Sequence, residues 1–240
     1  MKKDNTVFRF FYLILIIVSL IFTIGVAPQA LASVVITGTR VIYPSDANEV
    51  SVKLDNRGNN PVLVQSWIDS GEVDTKPDFI NVPFIITPPV NRIDPDNGQN
   101  LRIRYTGGIL PTDRESLFWL NVLEIPAKPS SESNENYIQM AFRTRIKLFY
   151  RPISLELDVK DSMEKISFNR LDNDTVRVDN PTPFHISFAK IVSNKKEIDG
   201  EMVSPYSSLD FQLPNQAGNK IEATYINDYG AMKLLEYLVK

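Results

Sequence analysis

Residues Tyr137–Pro152 read YIQMAFRTRIKLFYRP, an alternation of apolar and polar residues that ends in an Arg-Pro pair. Successive side chains of a β-strand point to opposite faces, so Ile138, Met140 and Phe142 share one face. Neither a charge nor a proline interrupts that face, although exposed strand edges are usually protected by such residues. The strand therefore either lines the core of its own domain or projects as an edge for a partner strand. The spacing alone leaves both interpretations open.

The sequence on both sides of this strand predicts β-structure. Short apolar runs with period two recur from Val34 onward, separated by proline and glycine, and no long helical stripe appears. This pattern predicts an all-β fold of two immunoglobulin-like β-sandwiches, the first in residues 33–152 and the second in residues 153–240. The first strand is expected at Val34–Tyr43. The Arg-Pro junction contains no Gly/Ser linker, so we expect a stiff connection with a cleft, which is a preferred place for a ligand site.

The first 32 residues have the features of a secretory signal peptide. Three basic residues are followed by the apolar run 10–26, by Pro28 and by the small-residue pattern Ala30-Leu31-Ala32. This order predicts cleavage after Ala32. The alternative is an uncleaved membrane anchor, because the apolar run is close to the shortest that spans a bilayer. The polar stretch 128–136 is predicted to be a loop.

Composition excludes several classes of site. The chain of 240 residues contains no Cys and one His, and its formal net charge is −3. Thiolate metal sites, disulfides and cysteine nucleophiles are therefore excluded, and a negative chain has no general attraction to nucleic acid. His185 is expected to be a surface or strand-edge residue, because no partner stands at a recognisable spacing. We expect no cofactor and no metal.

Two features bear on chemistry and binding. Asp113 and Glu115 form a carboxylate pair, but residues two apart on a strand share a face and need not flank a substrate, so we expect no enzyme. Arg40 follows Thr39 toward the end of the predicted first strand, and Lys147 lies in the last strand of the same sandwich. Each cation alone is usually a solvated surface charge, whereas the two together in a cleft would bind a carboxylate.

Five segments together have the pattern of a known family: LPTDRESLFWLNVLEIP at 110–126, TPPVNRIDP at 87–95, IKLFYRP at 146–152, NPTPF at 180–184 and YINDYG at 225–230. They resemble the periplasmic pilus (fimbrial) assembly chaperones, the PapD-like family. The resemblance covers essentially the whole chain after residue 32. It implies two immunoglobulin-like domains in an L or boomerang arrangement, a periplasmic location in a Gram-negative bacterium, and no enzymatic activity. The implied partners are pilin subunits that lack a strand and an outer-membrane usher, with a self-capping dimer as a further possibility for the free protein.

The same resemblance implies roles for particular residues. Arg40 and Lys147 would bind the C-terminal carboxylate of the pilin. A donor strand would insert its apolar side chains into the open groove of the subunit, a mode of recognition known as donor-strand complementation. The residues that the resemblance assigns to this strand are Ile138, Met140 and Phe142. Those that it assigns to an interdomain ion-pair network are Glu115, Arg151 and Asp228.

The sequence alone leaves two questions open. Strict alternation places Lys147 on the face opposite Met140, whereas one bound strand must supply both the anchor and the donor side chains. Either a strand twist or a β-bulge would bring Lys147 into the cleft. The alternative function is that of a secreted pilus subunit or a two-domain adhesin. That alternative predicts self-polymers, whereas a chaperone forms a one-to-one complex with a subunit.

Overall fold

The computed structural model describes residues 33–128, 138–213 and 218–240, together with Arg9, Tyr12, Leu13 and Leu15. The predicted signal peptide and most of the predicted loop 128–136 lie outside the described residues. The chain divides into two units, Met1–Ala32 and Ser33–Lys240, and the strands all belong to the second. Within the described part of the chain, no helix has the length and apolarity needed to span a membrane.

Within the described residues, nine strands build the first sandwich. They are β1 Val34–Ile36, β2 Arg40–Pro44, β3 Val50–Asn56, β4 Val62–Asp69, β5 Phe84–Thr87, β6 Val90–Ile93, β7 Gly98–Tyr105, β8 Ser116–Pro126 and β9 Phe142–Arg151. One sheet has the order β1-β3-β7-β5 and the other the order β2-β9-β8-β4-β6. Neighbouring strands are antiparallel except for the parallel pair β2–β9. The buried core includes Leu54, Leu101, Leu120 and Leu148, as expected where the inner faces of two sheets meet.

The described part of the second sandwich contains eight strands. They are β10 Ser167–Arg170, β11 Thr175–Asn180, β12 Ile186–Ser193, β13 Lys196–Asp199, β14 Met202–Val203, β15 Ser207–Gln212, β16 Lys220–Ile226 and β17 Met232–Leu238. The sheets have the orders β10-β11-β15 and β13-β12-β16-β17, and β14 pairs with β12. One turn of α-helix at Val159–Ser162 precedes them, followed by a 3₁₀ turn at Met163–Lys165. The all-β fold class is confirmed.

The first predicted strand, Val34–Tyr43, is wrong in one respect, because it forms two strands in different sheets. β1 pairs with β3, whereas β2 pairs with β9. Gly38, between them, has φ +97°, a left-handed conformation that only glycine adopts without strain. The chain therefore crosses from one sheet to the other, and this crossing places Arg40 at the start of β2.

Candidate functional site

Arg40 and Lys147 lie side by side on neighbouring strands. They are direct partners in the parallel register of β2 and β9. Both side chains reach the second sandwich: Arg40 Nη1 donates a hydrogen bond to the Ile226 carbonyl oxygen at 2.9 Å, and Lys147 Nζ donates one to Ser187 Oγ at 2.9 Å. The structure thus brings together, at the junction of the two sandwiches, the two cations that the sequence singled out. We call them the cation pair.

Alternation along β9 explains why Lys147 faces the junction. Ile146 and Leu148 point into the core of the first sandwich, whereas Lys147 and Phe149 point to the opposite face, where the second sandwich lies. The β8–β9 register is regular from Ser116–Tyr150 to Glu124–Phe142, so no bulge is involved. Lys147 therefore reaches the junction from the face opposite Met140, because the second sandwich covers the outer face of the sheet.

No carboxylate in the described part of the chain forms an ion pair with the cation pair. Among the cations on the outer face of β9, Arg145 pairs with Asp69 and Arg151 pairs with two carboxylates. Within the described residues neither Arg40 nor Lys147 forms a salt bridge, and the buried Arg40 Nε atom has no hydrogen-bond partner. Two adjacent cations without a partner make a site suited to an anion, and above all to a carboxylate.

Burial perturbs both cations. It lowers the pKa of Lys147 to about 8, with a further contribution from the positive charge of Arg40. Burial also lowers the pKa of Arg40, although the charges of Asp228 and Glu115 oppose this effect. Aromatic rings lie beside both: Arg40 Cζ is 5.9 Å from the ring centre of Phe149, and Lys147 Nζ is 5.9 Å from that of Trp119. Such contacts partly replace the lost hydration of a cation.

The apolar residues that precede β9 are exposed. Ile138, Met140 and Phe142 are 90%, 59% and 57% exposed, and we call them the apolar ribbon. Residues 138–141 are outside regular secondary structure, so β9 is shorter than the predicted strand and begins at Phe142. The ribbon therefore does not pack into the core of its own sandwich, which was one of the two interpretations.

Among the described strands, none pairs with one edge of β9 beside the ribbon. β8 pairs with β9 from Phe142 to Tyr150, whereas β2 pairs with it only from Lys147 to Arg151. Among the described strands, none occupies the second edge of β9 between Phe142 and Ile146. Backbone groups on such an edge are free to pair with an added strand. The free edge, the ribbon and Lys147 thus follow one another along a single segment of chain.

Arg151 joins the two sandwiches. Its Nε donates to Glu115 Oε1 at 2.7 Å, and its Nη1 and Nη2 donate to the two carboxylate oxygens of Asp228 at 2.7 and 2.9 Å. Burial alone would lower the pKa of Arg151, but the hydrogen bonds and charges of Asp228 and Glu115 outweigh it and raise that pKa. We call these three residues the junction network; the structure brings together all three residues named from the sequence.

The remaining candidate residues are Asp113, Glu115 and His185, and the structure places them in different surroundings. Asp113 is exposed and pairs with its neighbour Arg114, whereas Glu115 is buried and occupied by Arg151, so the two carboxylates do not face each other. The expectation of a surface or strand-edge His185 is wrong, because its side chain is only 7% exposed. Its backbone N–H donates to Glu115 Oε2 at 2.8 Å. No local pattern indicates this contact, which joins residues 70 positions apart.

Comparison with known proteins is decisive for the family. The model of the pili and flagellar-assembly chaperone PapD N-terminal domain matches residues 33–156, and that of the pili assembly chaperone PapD C-terminal domain matches residues 161–237. The chain belongs to the PapD family of pilus-assembly chaperones. Its curated relatives carry chaperone names and not enzyme names, as for the chaperone protein HifB of Haemophilus influenzae. HifB is 44% identical over 209 residues, which cover 85% of this chain and 86% of HifB.

Solved structures of PapD-family chaperones share the fold. The Pseudomonas aeruginosa CupB2 chaperone is 37% identical, with a TM-score of 0.74 over 86% of this chain and 100% of that one. A chain from the Salmonella enterica SafA pilin in complex with the SafB chaperone is 30% identical, with a TM-score of 0.77 over 88% of this chain and 98% of that one. The chain is therefore a fimbrial chaperone with a two-domain fold.

The junction network predicts the effect of Arg151→Ala. Loss of the guanidinium leaves the carboxylate of Glu115, 1% exposed, without its cation, which typically costs about 3–5 kcal/mol. We expect a free energy of unfolding lower by about that amount in a guanidinium chloride titration. The control is Arg92→Ala, which removes an exposed pair with Asp94 and should change stability by less than about 1 kcal/mol. Equal midpoints for the two variants would contradict a role of the network in stability.

Proposed function

We propose that this chaperone caps pilin subunits in the periplasm of a Gram-negative bacterium by donor-strand complementation and delivers them to an outer-membrane usher. The observation that carries the proposal is the order of features along one segment: the apolar ribbon, the free edge of β9, and then the unpaired cation pair. The complex of the SafA pilin with the SafB chaperone, which is similar to this chain, supports it. The predicted signal peptide agrees with export.

In this mechanism the cation pair sets the register. The C-terminal carboxylate of the subunit accepts hydrogen bonds from Arg40 and Lys147, which replace the solvation that both cations lose by burial. A strand advances about 3.3 Å per residue, so the five residues from Lys147 to Phe142 span roughly 17 Å. The carboxylate thus fixes which residue of the subunit lies opposite each residue of the donor strand.

The apolar ribbon supplies most of the binding free energy. Ile138, Met140 and Phe142 are two residues apart, so in an extended strand they enter the groove of the subunit from one face. Burial of such side chains contributes about 1.5–3 kcal/mol each. Part of this gain offsets the ordering of residues 138–141, which lie outside regular secondary structure in the free protein. The reaction requires no cofactor, because it exchanges one set of strand contacts for another.

The exposed ribbon also has a consequence for the free chaperone. Contiguous exposed apolar side chains beside an unpaired edge favour association. A self-capping dimer, in which a second copy covers the ribbon, is the form we propose before a subunit arrives. Transfer to the usher then requires that the contacts with the subunit be reversible.

Replacement of Lys147 should weaken the capture of pilin without lowering the stability of the chaperone. In Lys147→Met the carboxylate loses one of its two cations, and we expect capture of a co-expressed pilin to weaken at least about 30-fold, since loss of one partner of a desolvated charge site costs about 2 kcal/mol or more. Because the free protein also loses a partly buried, uncompensated charge, its melting temperature should be unchanged or higher. Lys53→Met, at an exposed lysine, is the control for both measurements. Normal co-purification of pilin with Lys147→Met would refute the anchor.

The lowered pKa of Lys147 predicts a pH dependence. The ammonium form binds the carboxylate, so affinity should fall as the pH rises through about 8, where free Lys147 loses its proton. Lys147→Arg keeps its charge throughout this range, and its affinity should stay level up to about pH 9. Binding of a purified subunit, followed by calorimetry between pH 7 and pH 9, measures the difference. Identical profiles for the two proteins would contradict the assignment.

A charge in the apolar ribbon should block insertion. Met140→Glu places a carboxylate in an apolar groove, where an unpaired charge is strongly disfavoured, and we expect at least a ten-fold loss of subunit affinity. Gln139→Glu introduces the same charge one residue away, on the opposite face of an extended strand, and should bind nearly as the wild type does. Competition binding with labelled wild-type chaperone measures both. Equal losses in the two variants would show that charge, and not insertion, weakens binding.

A further inference from the structure

The turn between β16 and β17, residues 227–231, meets both the guanidinium of the cation pair and that of the junction network. Immediately before it, the Ile226 carbonyl oxygen accepts the hydrogen bond from Arg40 Nη1 at 2.9 Å. Two residues later, Asp228 accepts hydrogen bonds from Arg151 Nη1 and Nη2 at 2.7 and 2.9 Å. One short piece of backbone therefore holds both guanidinium groups, and a change in its shape would move both acceptors.

Asn227 fixes the internal shape of this turn. Its side-chain Oδ1 accepts from the backbone N–H groups of Tyr229 and Ala231 at 3.1 and 2.9 Å. Its own backbone N–H donates to the Ala231 carbonyl oxygen at 3.0 Å, and its carbonyl oxygen accepts from the Gly230 N–H at 2.9 Å. Asparagine favours turns because its side chain bonds to the backbone a short distance along the chain. Loss of this side chain would remove the acceptor of Tyr229 and Ala231 and would hold Ile226 less firmly.

Gly230 allows the turn to approach β2. Its φ of +79° lies in the left-handed region, which glycine adopts without a steric penalty. A Cβ atom at this position would also lie 2.5 Å from Oγ1 of Thr39, the residue that precedes Arg40. The turn therefore packs directly against the start of β2, at a distance that a side chain would increase.

The orientation of Arg40 depends on the acceptor that the turn presents. Arg40 Nε is buried without a partner, and of the described residues it is Ile226 whose carbonyl oxygen accepts from the guanidinium. The neighbouring positive charge of Lys147 repels that guanidinium. A guanidinium binds a carboxylate best through two parallel N–H donors, so the direction of its plane matters. A carbonyl oxygen held at Nη1 sets this direction.

We propose that Asn227 and Gly230 are positioning residues for carboxylate capture. Asn227 maintains the shape of the turn and Gly230 its approach to β2, and together they keep the Ile226 carbonyl oxygen on Arg40 Nη1. Both act through Arg40 and need not touch the subunit. This inference rests on the proposed function, because it requires that the cation pair bind the C-terminal carboxylate of a subunit.

The test measures the preference for a carboxylate, defined as the ratio of the dissociation constants of two peptides. Both are short fluorescein-labelled peptides in which valine alternates with serine, one with a free C-terminal carboxylate and the other with a C-terminal amide. Fluorescence anisotropy at about pH 7 gives the two affinities. For the wild type we expect a preference of at least about ten-fold, since close charge pairs in a desolvated site bind strongly. Equal binding of the two peptides, or no binding of either, overturns the proposed function and this inference with it.

Two variants alter the turn in different ways. Asn227→Ala removes the side-chain acceptor, and Gly230→Ala inserts a Cβ atom against Thr39. In both we expect the carboxylate peptide to bind more weakly and the amide peptide to bind nearly as before. The ratio should fall at least about three-fold, as the loss of one orienting hydrogen bond predicts. A merely structural defect would weaken both peptides alike, so a wild-type ratio in either variant overturns the inference and leaves the proposed function in place.

Two matched substitutions serve as controls. Gly107→Ala places a side chain at φ +96°, where the added Cβ meets no heavy atom of the described residues within 4 Å. Asp172→Ala removes a side-chain oxygen that accepts from the backbone N–H groups of Asp174 and Thr175, in the turn between β10 and β11. We expect both controls to keep the wild-type ratio. A ratio that falls in the controls as much as in the turn variants overturns the inference, because backbone strain or the loss of any such turn would then be sufficient.

A measurement on the wild type alone is independent of how the variants fold. If the turn positions Arg40 for a carboxylate, a bound carboxylate stabilises the turn by the same factor, because coupling between two sites is reciprocal. Hydrogen exchange of the Tyr229 and Ala231 amides follows the opening of the turn, since both donate to Asn227 Oδ1. We expect saturating carboxylate peptide to slow this exchange at least about three-fold more than saturating amide peptide does. Equal exchange with the two peptides bound overturns the inference.

Discussion

The parallel pairing of β2 with β9 is the constraint on which the rest of the site depends. It places Arg40 and Lys147 directly opposite each other and holds two like charges together where burial weakens their hydration. Such an arrangement is unfavourable in the free protein, because no carboxylate among the described residues forms an ion pair with either cation, although the charges of Asp228 and Glu115 partly offset that of Arg40. The folding of the first sandwich therefore sustains a repulsion that an incoming anion reduces. A site with this property favours the bound state without a cofactor or a chemical step.

The alternation of β9 gives one strand two separate tasks. Its even-numbered residues Ile146 and Leu148 point into the core of the first sandwich. The even-numbered residues that precede them form the exposed apolar ribbon. Its odd-numbered residues carry the charges, and two of them, Lys147 and Arg151, reach the second sandwich. Because the β8–β9 register is unbroken from Phe142 onward, the distance between Phe142 and Lys147 is fixed by the number of residues alone. The second sandwich is what turns the outer face of a sheet into a partly buried site.

The sequence predicts those features that depend on neighbours along the chain. Period-two patterns predict the strands, and the motif resemblance points to Glu115, Arg151 and Asp228, which the structure shows in contact. The features that the sequence does not predict depend on distant packing. Gly38 ends β1 because its backbone is left-handed, although the side chains around it continue an apparent strand. His185 is buried only because Glu115 and Phe149, both far away in sequence, meet there.

The junction network explains how the cation pair keeps its geometry. Arg40 and Lys147 belong to the first sandwich and donate hydrogen bonds to Ile226 and Ser187 of the second. A rotation between the sandwiches would break these hydrogen bonds and free the two side chains to move apart, which their repulsion favours. Arg151 opposes this rotation with hydrogen bonds to carboxylates on both sides, and Pro152 restricts the backbone immediately after it. The anion site therefore depends on a stable junction. The junction network opposes the separation of the Arg40 and Lys147 charges, so both remain in place to bind an anion.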